Sequence, residues 1–220
     1  MMALPVLFLG SCEKESEGLT RITYYPVLEV VGGPAVIYLG EAYVDAGCKA
    51  SMNGEDVTSM VKDTNNIDNT KFGVYSVEYS IVNADGIKAT ATRDVYVTNG
   101  TNFNNLYLAD SKYGSRKFES LPITILDNGD GTYTIEDILG GFYALGRYPQ
   151  YIGEIDFFAD AIIALNPDNS ISLVSVGEWY WDDYAITLKK GTYDPAKCKI
   201  TLDLDFDGDP FSVSLVVPTK

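Results

Sequence analysis

Histidine is absent from this 220-residue chain. That removes the Ser-His-Asp triad, the Cys-His dyad, the HExxH zinc site and imidazole acid-base chemistry. An enzyme here needs a carboxylate pair or a lysine. Cysteine is almost as scarce: Cys12, Cys48 and Cys198 are all there are, with no CxxC or zinc-type spacing. In an exported protein Cys48 and Cys198 could pair, but they fall in different predicted domains, so free thiols acting as small hydrophobes are expected. Basic residues number 16 against 31 acidic ones, for a formal net charge of -15. No basic patch offsets that charge, which excludes nucleic acid as a partner. Nor is any apolar run near the roughly 20 residues that a spanning helix needs. Neither a cofactor nor a metal is expected.

What is present is foldable. Hydrophobic residues make up 46% of the chain, with 16 tyrosines and 9 phenylalanines, which separates it from a disordered acidic segment. Residues 1–11, "MMALPVLFLGS", have the length of a signal-peptide apolar region. Leu9-Gly10-Ser11-Cys12 resembles a bacterial lipobox, in which the cysteine is lipidated and becomes the mature N-terminus. The Lys/Arg region usual before such a run is missing. Glu13-Lys14-Glu15-Ser16-Glu17-Gly18 resembles the acidic export tag of Bacteroidetes surface lipoproteins. This implies an outer-membrane lipoprotein facing the cell exterior, held by lipid on Cys12, with residues 1–12 as signal and anchor and 13–22 as a tether.

From residue 23 the sequence reads as all-β. Strands are expected at 26–31, 35–39, 72–82 and 88–97, with turn residues between them. In 72–82, Tyr75, Val77, Tyr79 and Ile81 share the core face. Asn83-Ala84-Asp85-Gly86 supplies the following hairpin. Leu39 to Gly47, Gly73-Val74-Tyr75 with Val77 and Tyr79, and Ala91-Thr92-Arg93-Asp94-Val95-Tyr96-Val97 together resemble the bacterial immunoglobulin-like modules of cell-surface proteins. The resemblance implies an immunoglobulin-like β-sandwich over 23–98, acting as a spacer or adhesive module.

Thr98-Asn99-Gly100-Thr101-Asn102 is a polar break, and 102–220 reads as a second antiparallel β domain, a sandwich or an open barrel. Strands are expected at 122–126, 132–136, 162–165, 171–176, 179–188, 198–206 and 211–217, with one possible helix at 154–161. Residues 131–143 and 191–202 resemble the C-terminal domains of uncharacterised Bacteroidetes lipoproteins, many of them encoded beside glycan-uptake systems. That implies a glycan-related role.

The candidate site lies in Gly177-Glu178-Trp179-Tyr180-Trp181-Asp182-Asp183-Tyr184, which holds both tryptophans of the chain. On a strand Trp179 and Trp181 share one face. Indole rings stack on the CH faces of sugars and carboxylates accept hydroxyl hydrogen bonds, though at least one tryptophan suits the core. Phe142-Tyr143 and Tyr148-Pro149-Gln150-Tyr151 form a second aromatic group. Trp179, Tyr180, Trp181, Tyr184, Tyr143 and Tyr151 are therefore the candidate ligand-binding residues. Asp203-Leu204-Asp205-Phe206-Asp207-Gly208 imitates the start of a calcium loop, yet the twelfth position is Ser214 and strand alternation explains the pattern. Three functions follow: a non-catalytic surface module capturing a glycan, a structural lipoprotein docking to other outer-membrane proteins, and a carboxylate-dependent glycoside hydrolase using Glu178, Asp182 or Asp183.

Overall fold

The computed structural model of the protein describes residues 22–181 and 183–220. The lipobox with Cys12, the acidic tag and Asp182 lie outside the described residues. The first part of the fold is a two-sheet sandwich. One sheet holds β1 (Val27–Val30), β3 (Cys48–Met52) and β4 (Glu55–Asp56). The other runs β2 (Ala35–Tyr38), β7 (Lys88–Thr98), β6 (Gly73–Val82) and β5 (Lys62–Asn65). β2 pairs with β7 in parallel, whereas β6 and β7 form a long antiparallel hairpin. The alternation in β6 works as read: Val77, Tyr79 and Ile81 are buried, and Val95 and Val97 of β7 join them. Burying each such side chain contributes about 1.5–3 kcal/mol.

One cation organises this sandwich. Arg93 of β7 is buried, and its Nη1 donates to Asp45 Oδ1 at 2.6 Å and to the Tyr43 hydroxyl at 3.1 Å. Its Nη2 donates to the carbonyls of Val31 and Gly47. Tyr79 and Tyr43 also donate to Asp45 Oδ1, at 2.5 and 2.8 Å. Burial alone would raise the Asp45 carboxyl, but the hydroxyls of Tyr79 and Tyr43, the Gly47 amide and the Arg93 charge hold it below its ordinary value. Residues 40–47, a loop without ladder hydrogen bonds of its own, are fastened to the sheet in this way.

The connection from 98 to 106 is knotted rather than loose. Asn105 is fully buried; its Nδ2 donates to the carbonyls of Gly100 and Asn102, and its Oδ1 accepts from the amides of Asn99 and Leu106. Then comes an eight-stranded antiparallel sheet. Its strands are β8 (Leu106–Tyr113), β9 (Arg116–Asp127), β10 (Thr132–Ile135), β11 (Ala161–Leu165), β12 (Ile171–Val176), β13 (Ile186–Asp194), β14 (Lys199–Phe206) and β15 (Asp209–Val216). The spatial order is β12-β11-β10-β9-β8-β15-β14-β13. The two end strands approach each other, with a bridge between Ser170 and Thr192, so the sheet curls into a near-closed barrel.

Several expectations change. The 179–188 strand does not exist as such: residues 177–181 and 183–185 are turn and loop, and the ladder starts at Ile186. The aromatic side chains there fold over the barrel mouth instead of alternating across a pleat. The helix placed at 154–161 is also absent. A π-helical turn at Phe142–Arg147 and a 3-10 turn at Pro149–Tyr151 occur earlier, and 161 already belongs to β11. β3, β4, β5 and β8 add strands that the pattern did not announce. Cys48 and Cys198 are both free, Cys48 buried and Cys198 half-buried. In β14, Ile200, Leu202, Leu204 and Phe206 point inward, as alternation requires.

The Arg93 network gives a direct test. Arg93→Met leaves Asp45 without its cation and is expected to cost about 2–4 kcal/mol, a buried-pair loss reduced because Asp45 is partly exposed. Lys88→Ala breaks the exposed Lys88–Glu78 pair at 3.0 Å and should cost no more than about 1 kcal/mol. Urea unfolding of the two variants measures the difference; equal losses would mean that Arg93 does not hold the loop.

Candidate functional site

The barrel has two ends, and the chain enters at the one near Asn105. The hairpins at 128–131, 166–170 and 195–198 lie at that same end. At the opposite end lie the 114–115 hairpin, the 136–160 excursion between β10 and β11, the 177–185 loop and the 207–208 turn. Most of the aromatic residues of the domain collect there.

The excursion is fixed from within the barrel. Asp137 is completely buried; its Oδ1 accepts from the amides of Leu139 at 2.8 Å and Ala159 at 3.4 Å, and its Oδ2 accepts from Gly141 at 2.9 Å. Ile138, Leu139 and Phe142 then plunge into the core. A methyl at Gly140 would sit 2.7 Å from Val213 Cγ1 and 3.2 Å from the Ala109 methyl, so only glycine, with φ at +64°, lets the chain descend this far. At Gly146 a methyl would lie 2.5 Å from the Phe118 ring. That close approach seats the π-helical turn on β9.

A π turn widens the spacing to five residues. The Tyr148 amide donates to the Tyr143 carbonyl, and the two tyrosine rings stack at 6.4 Å and 13°. Arg147, between them in sequence, donates from Nε to the Tyr148 hydroxyl at 2.7 Å, with its guanidinium 5.1 Å from the centre of that ring. From the other side, Trp181 of the 177–185 loop meets Tyr143 at 4.8 Å and Tyr148 at 5.9 Å. Tyr184 stacks flat on Phe206 at 5.5 Å. These residues enclose an open cleft of about 280 Å³, completed by Tyr113, Arg116 and Phe142.

The two aromatic groups read from the sequence therefore meet at one mouth. Tyr143, Trp181 and Tyr184 line the cleft. Trp179 does not: it is 8% exposed and packs behind Trp181, Tyr143 and Phe206 as a support. Tyr180 and Tyr151 lie on the outer side, both against Phe157, and are 55% and 38% exposed. Glu178 and Asp183 are on the same loop as Trp181, but neither lines the cleft. Sequence reasoning missed Tyr113, Phe206 and the two arginines. The usable signal was arginine scarcity, since Arg21, Arg93, Arg116 and Arg147 are the only four and two of them are here. Burial pushes the Tyr143 phenol up to about 12, only partly countered by Arg147. It is thus a neutral donor at physiological pH.

Residues 95–217 match the model of a C-terminal domain family, and residues 32–97 match the bacterial surface protein, Ig-like domain. The crystal structure of the lipoprotein BT2262 from Bacteroides thetaiotaomicron is similar at 27% identity and a TM-score of 0.56, over 87% of this chain and 100% of that one. Two structures from Clostridium perfringens ZmpB are matched at 14% identity and a TM-score of 0.30. One is of CBM51-2 in complex with GlcNAc and INT domains, and the other is of the M60 catalytic domain with CBM51-1 and CBM51-2. The matches span 87% and 88% of this chain and 43% and 21% of theirs; at that score they carry no argument. No curated protein sequence matches. The chain belongs to the family of that C-terminal domain, with a bacterial surface Ig-like domain ahead of it.

Asp137 sets a pH dependence. Burial pushes its carboxyl up to about 7, against the three amide hydrogen bonds that favour the charged form. The folded state then holds the proton more tightly than the unfolded chain, whose carboxyl titrates near 4. Its contribution to stability is full below about pH 4 and is lost as pH rises through about 7. Asp137→Asn removes that titration and sets an amide N–H against an N–H donor, costing about 1–3 kcal/mol. Urea unfolding at pH 4.5, 6 and 8 is expected to show the wild-type advantage over Asp137→Asn shrinking as pH rises; a constant gap would mean that Asp137 does not titrate in this range.

Proposed function

We propose that this protein is a lipid-anchored lipoprotein of the outer-membrane surface that captures a glycan, without catalysis, in the aromatic cleft at the far end of its barrel. The observation that carries this is the convergence of Tyr143, Tyr148, Trp181 and Tyr184 on one open cleft. Aromatic faces there can stack on sugar CH groups while hydroxyls and guanidinium groups hydrogen-bond the ring substituents. At about 280 Å³ the cleft is at the small end of small-molecule sites, about 300–1,000 Å³, which suits a single sugar ring. The address is supported by the surface Ig-like match, the lipoprotein relative and the Leu9-Gly10-Ser11-Cys12 sequence.

Two observations favour capture over the other functions. No described residue lining the cleft is a carboxylate, whereas glycoside hydrolysis uses a facing pair of them. Within the barrel, docking through a sheet edge has little open edge to use, because the end strands β12 and β13 close on each other beside the Ser170–Thr192 bridge.

Affinity gel electrophoresis across a panel of soluble polysaccharides tests the site. Retardation by at least one glycan is expected for the wild type, with Trp181→Ala reducing it by about tenfold in affinity, the equivalent of about 1.4 kcal/mol. Retardation unchanged in Trp181→Ala would remove the cleft from the function. For the anchor, incorporation of labelled palmitate in cells should be abolished by Cys12→Ala; persistent labelling would place the lipid elsewhere.

A further inference from the structure

We infer that the cleft selects an anionic sugar, one whose ring carries a carboxylate or a sulfate. The inference deepens the glycan-binding function proposed above and rests on it. In a chain with 31 acidic and 16 basic residues, chance would surround a cleft with carboxylates. This one is walled instead by Arg116 and Arg147, and no described lining residue is acidic.

Both cations are available. Lys117, next to Arg116, is occupied by Glu119 and Asp110. Arg116 has no side-chain hydrogen bond or ion pair among the described residues, although its backbone is fixed opposite Tyr113 in the β8–β9 ladder. Arg147 uses only Nε, on the Tyr148 hydroxyl, so its four Nη hydrogens face no protein acceptor among the described residues. A guanidinium whose Nε is held and whose Nη groups are open is oriented for a planar or tetrahedral oxyanion. The aromatic wall beneath it strengthens that role, since Tyr148 carries the cation on its ring face.

A neutral donor completes the set. The Tyr143 hydroxyl makes no hydrogen bond to any described residue and lines the same cleft as the arginines. Two carboxylates stand beside the cleft wall at Tyr113 without lining the cleft. Asp209 accepts from the Tyr113 hydroxyl at 3.1 Å, and Asp207 acts electrostatically on the same phenol. A ring stacked on Trp181 with its oxyanion toward Arg147 and Arg116 uses both the aromatic wall and the cations; a neutral sugar can hydrogen-bond the guanidinium groups but leaves them without a counter-charge.

Isothermal titration of the mature chain at 150 mM NaCl tests this with polygalacturonate and hyaluronan oligomers as carboxylate probes, dextran sulfate as a sulfate probe, and dextran and galactomannan as neutral ones. At this ionic strength the general repulsion from a net charge of -15 is screened within about 8 Å. An anionic probe is expected to bind at least tenfold more tightly than either neutral one, and the favoured probe tells carboxylate from sulfate. Arg116→Gln, an exposed position that leaves the fold intact, should weaken that binding about fivefold to tenfold. Arg147→Gln should do the same, with Arg147→Lys recovering part of it, and binding of the neutral probes should fall by less than binding of the anionic one with either variant. Neutral probes bound as tightly as anionic ones, with both Arg→Gln variants indifferent, would overturn the anion preference while leaving glycan capture standing. No binding of any probe would overturn both.

Discussion

The three amide hydrogen bonds accepted by Asp137 are the constraint on which the functional end of this molecule depends. Between β10 and β11 the chain leaves the sheet, turns into the barrel mouth and emerges again, and a path of that kind strands backbone N–H groups away from water. Asp137 satisfies three of them from two separate stretches, 139–141 and 159. It thereby ties the outgoing limb of the excursion to the returning one. Tyr143, Arg147 and Tyr148 all hang from the segment so fixed. An amide of the same shape has only one oxygen and could not accept at both positions, so the cost of burying this carboxyl is offset by the geometry it imposes.

The sandwich solves a similar problem with the opposite charge. Arg93 reaches the carbonyls of Val31 and Gly47 and the Asp45 carboxylate, gathering two loops onto β7. Tyr43, Asp45, Tyr79 and Arg93 all belong to the segments by which the first domain resembles surface immunoglobulin-like modules. Their work is structural, and this matters for function: the most distinctive polar residues of the first domain are used up in holding it together. The barrel mouth differs: among the described residues Arg116 and the Tyr143 hydroxyl have no side-chain hydrogen bond, and Arg147 uses only Nε.

How much of this was legible depended on whether a strand's inward face is filled by its own side chains. β6 and β14 announce themselves because Val77, Tyr79 and Ile81, or Ile200, Leu202, Leu204 and Phe206, fill the core directly. β8 does not. Its inward residues include Ala109 and Ser111, small because the excursion at Gly140 packs onto them, and a strand whose half of the core arrives from elsewhere has no apolar period to read. The 177–185 loop shows the converse. Its aromatic density resembles a strand, yet the hydrophobic demand comes from the barrel mouth, where Trp179 and Trp181 meet Tyr143 edge-on or tilted rather than in a pleat. Composition named the aromatic groups; only the return of the chain through Asp137 could bring Tyr143 and Trp181 together. The arginines were invisible for a simpler reason: single cations on a hairpin and a π turn form no motif.

Charge distribution then limits what the proposed capture can look like. The net charge of -15 acts over a distance and fades within about 8 Å at physiological salt, whereas Arg116 and Arg147 act at contact. A long polyanion lying across the surface would meet mostly repulsion, because the basic residues outside the cleft are few and many are already paired, as Lys71, Lys88, Lys117, Lys189, Lys197 and Lys220 are. A single charged ring entering the mouth meets two guanidinium groups that no described carboxylate pairs, and an aromatic floor. The same acidity that keeps the surface from binding polyanions indiscriminately leaves the cleft as the place where one oxyanion is welcome, so the architecture favours recognition of one residue or a chain end over wrapping of a polymer.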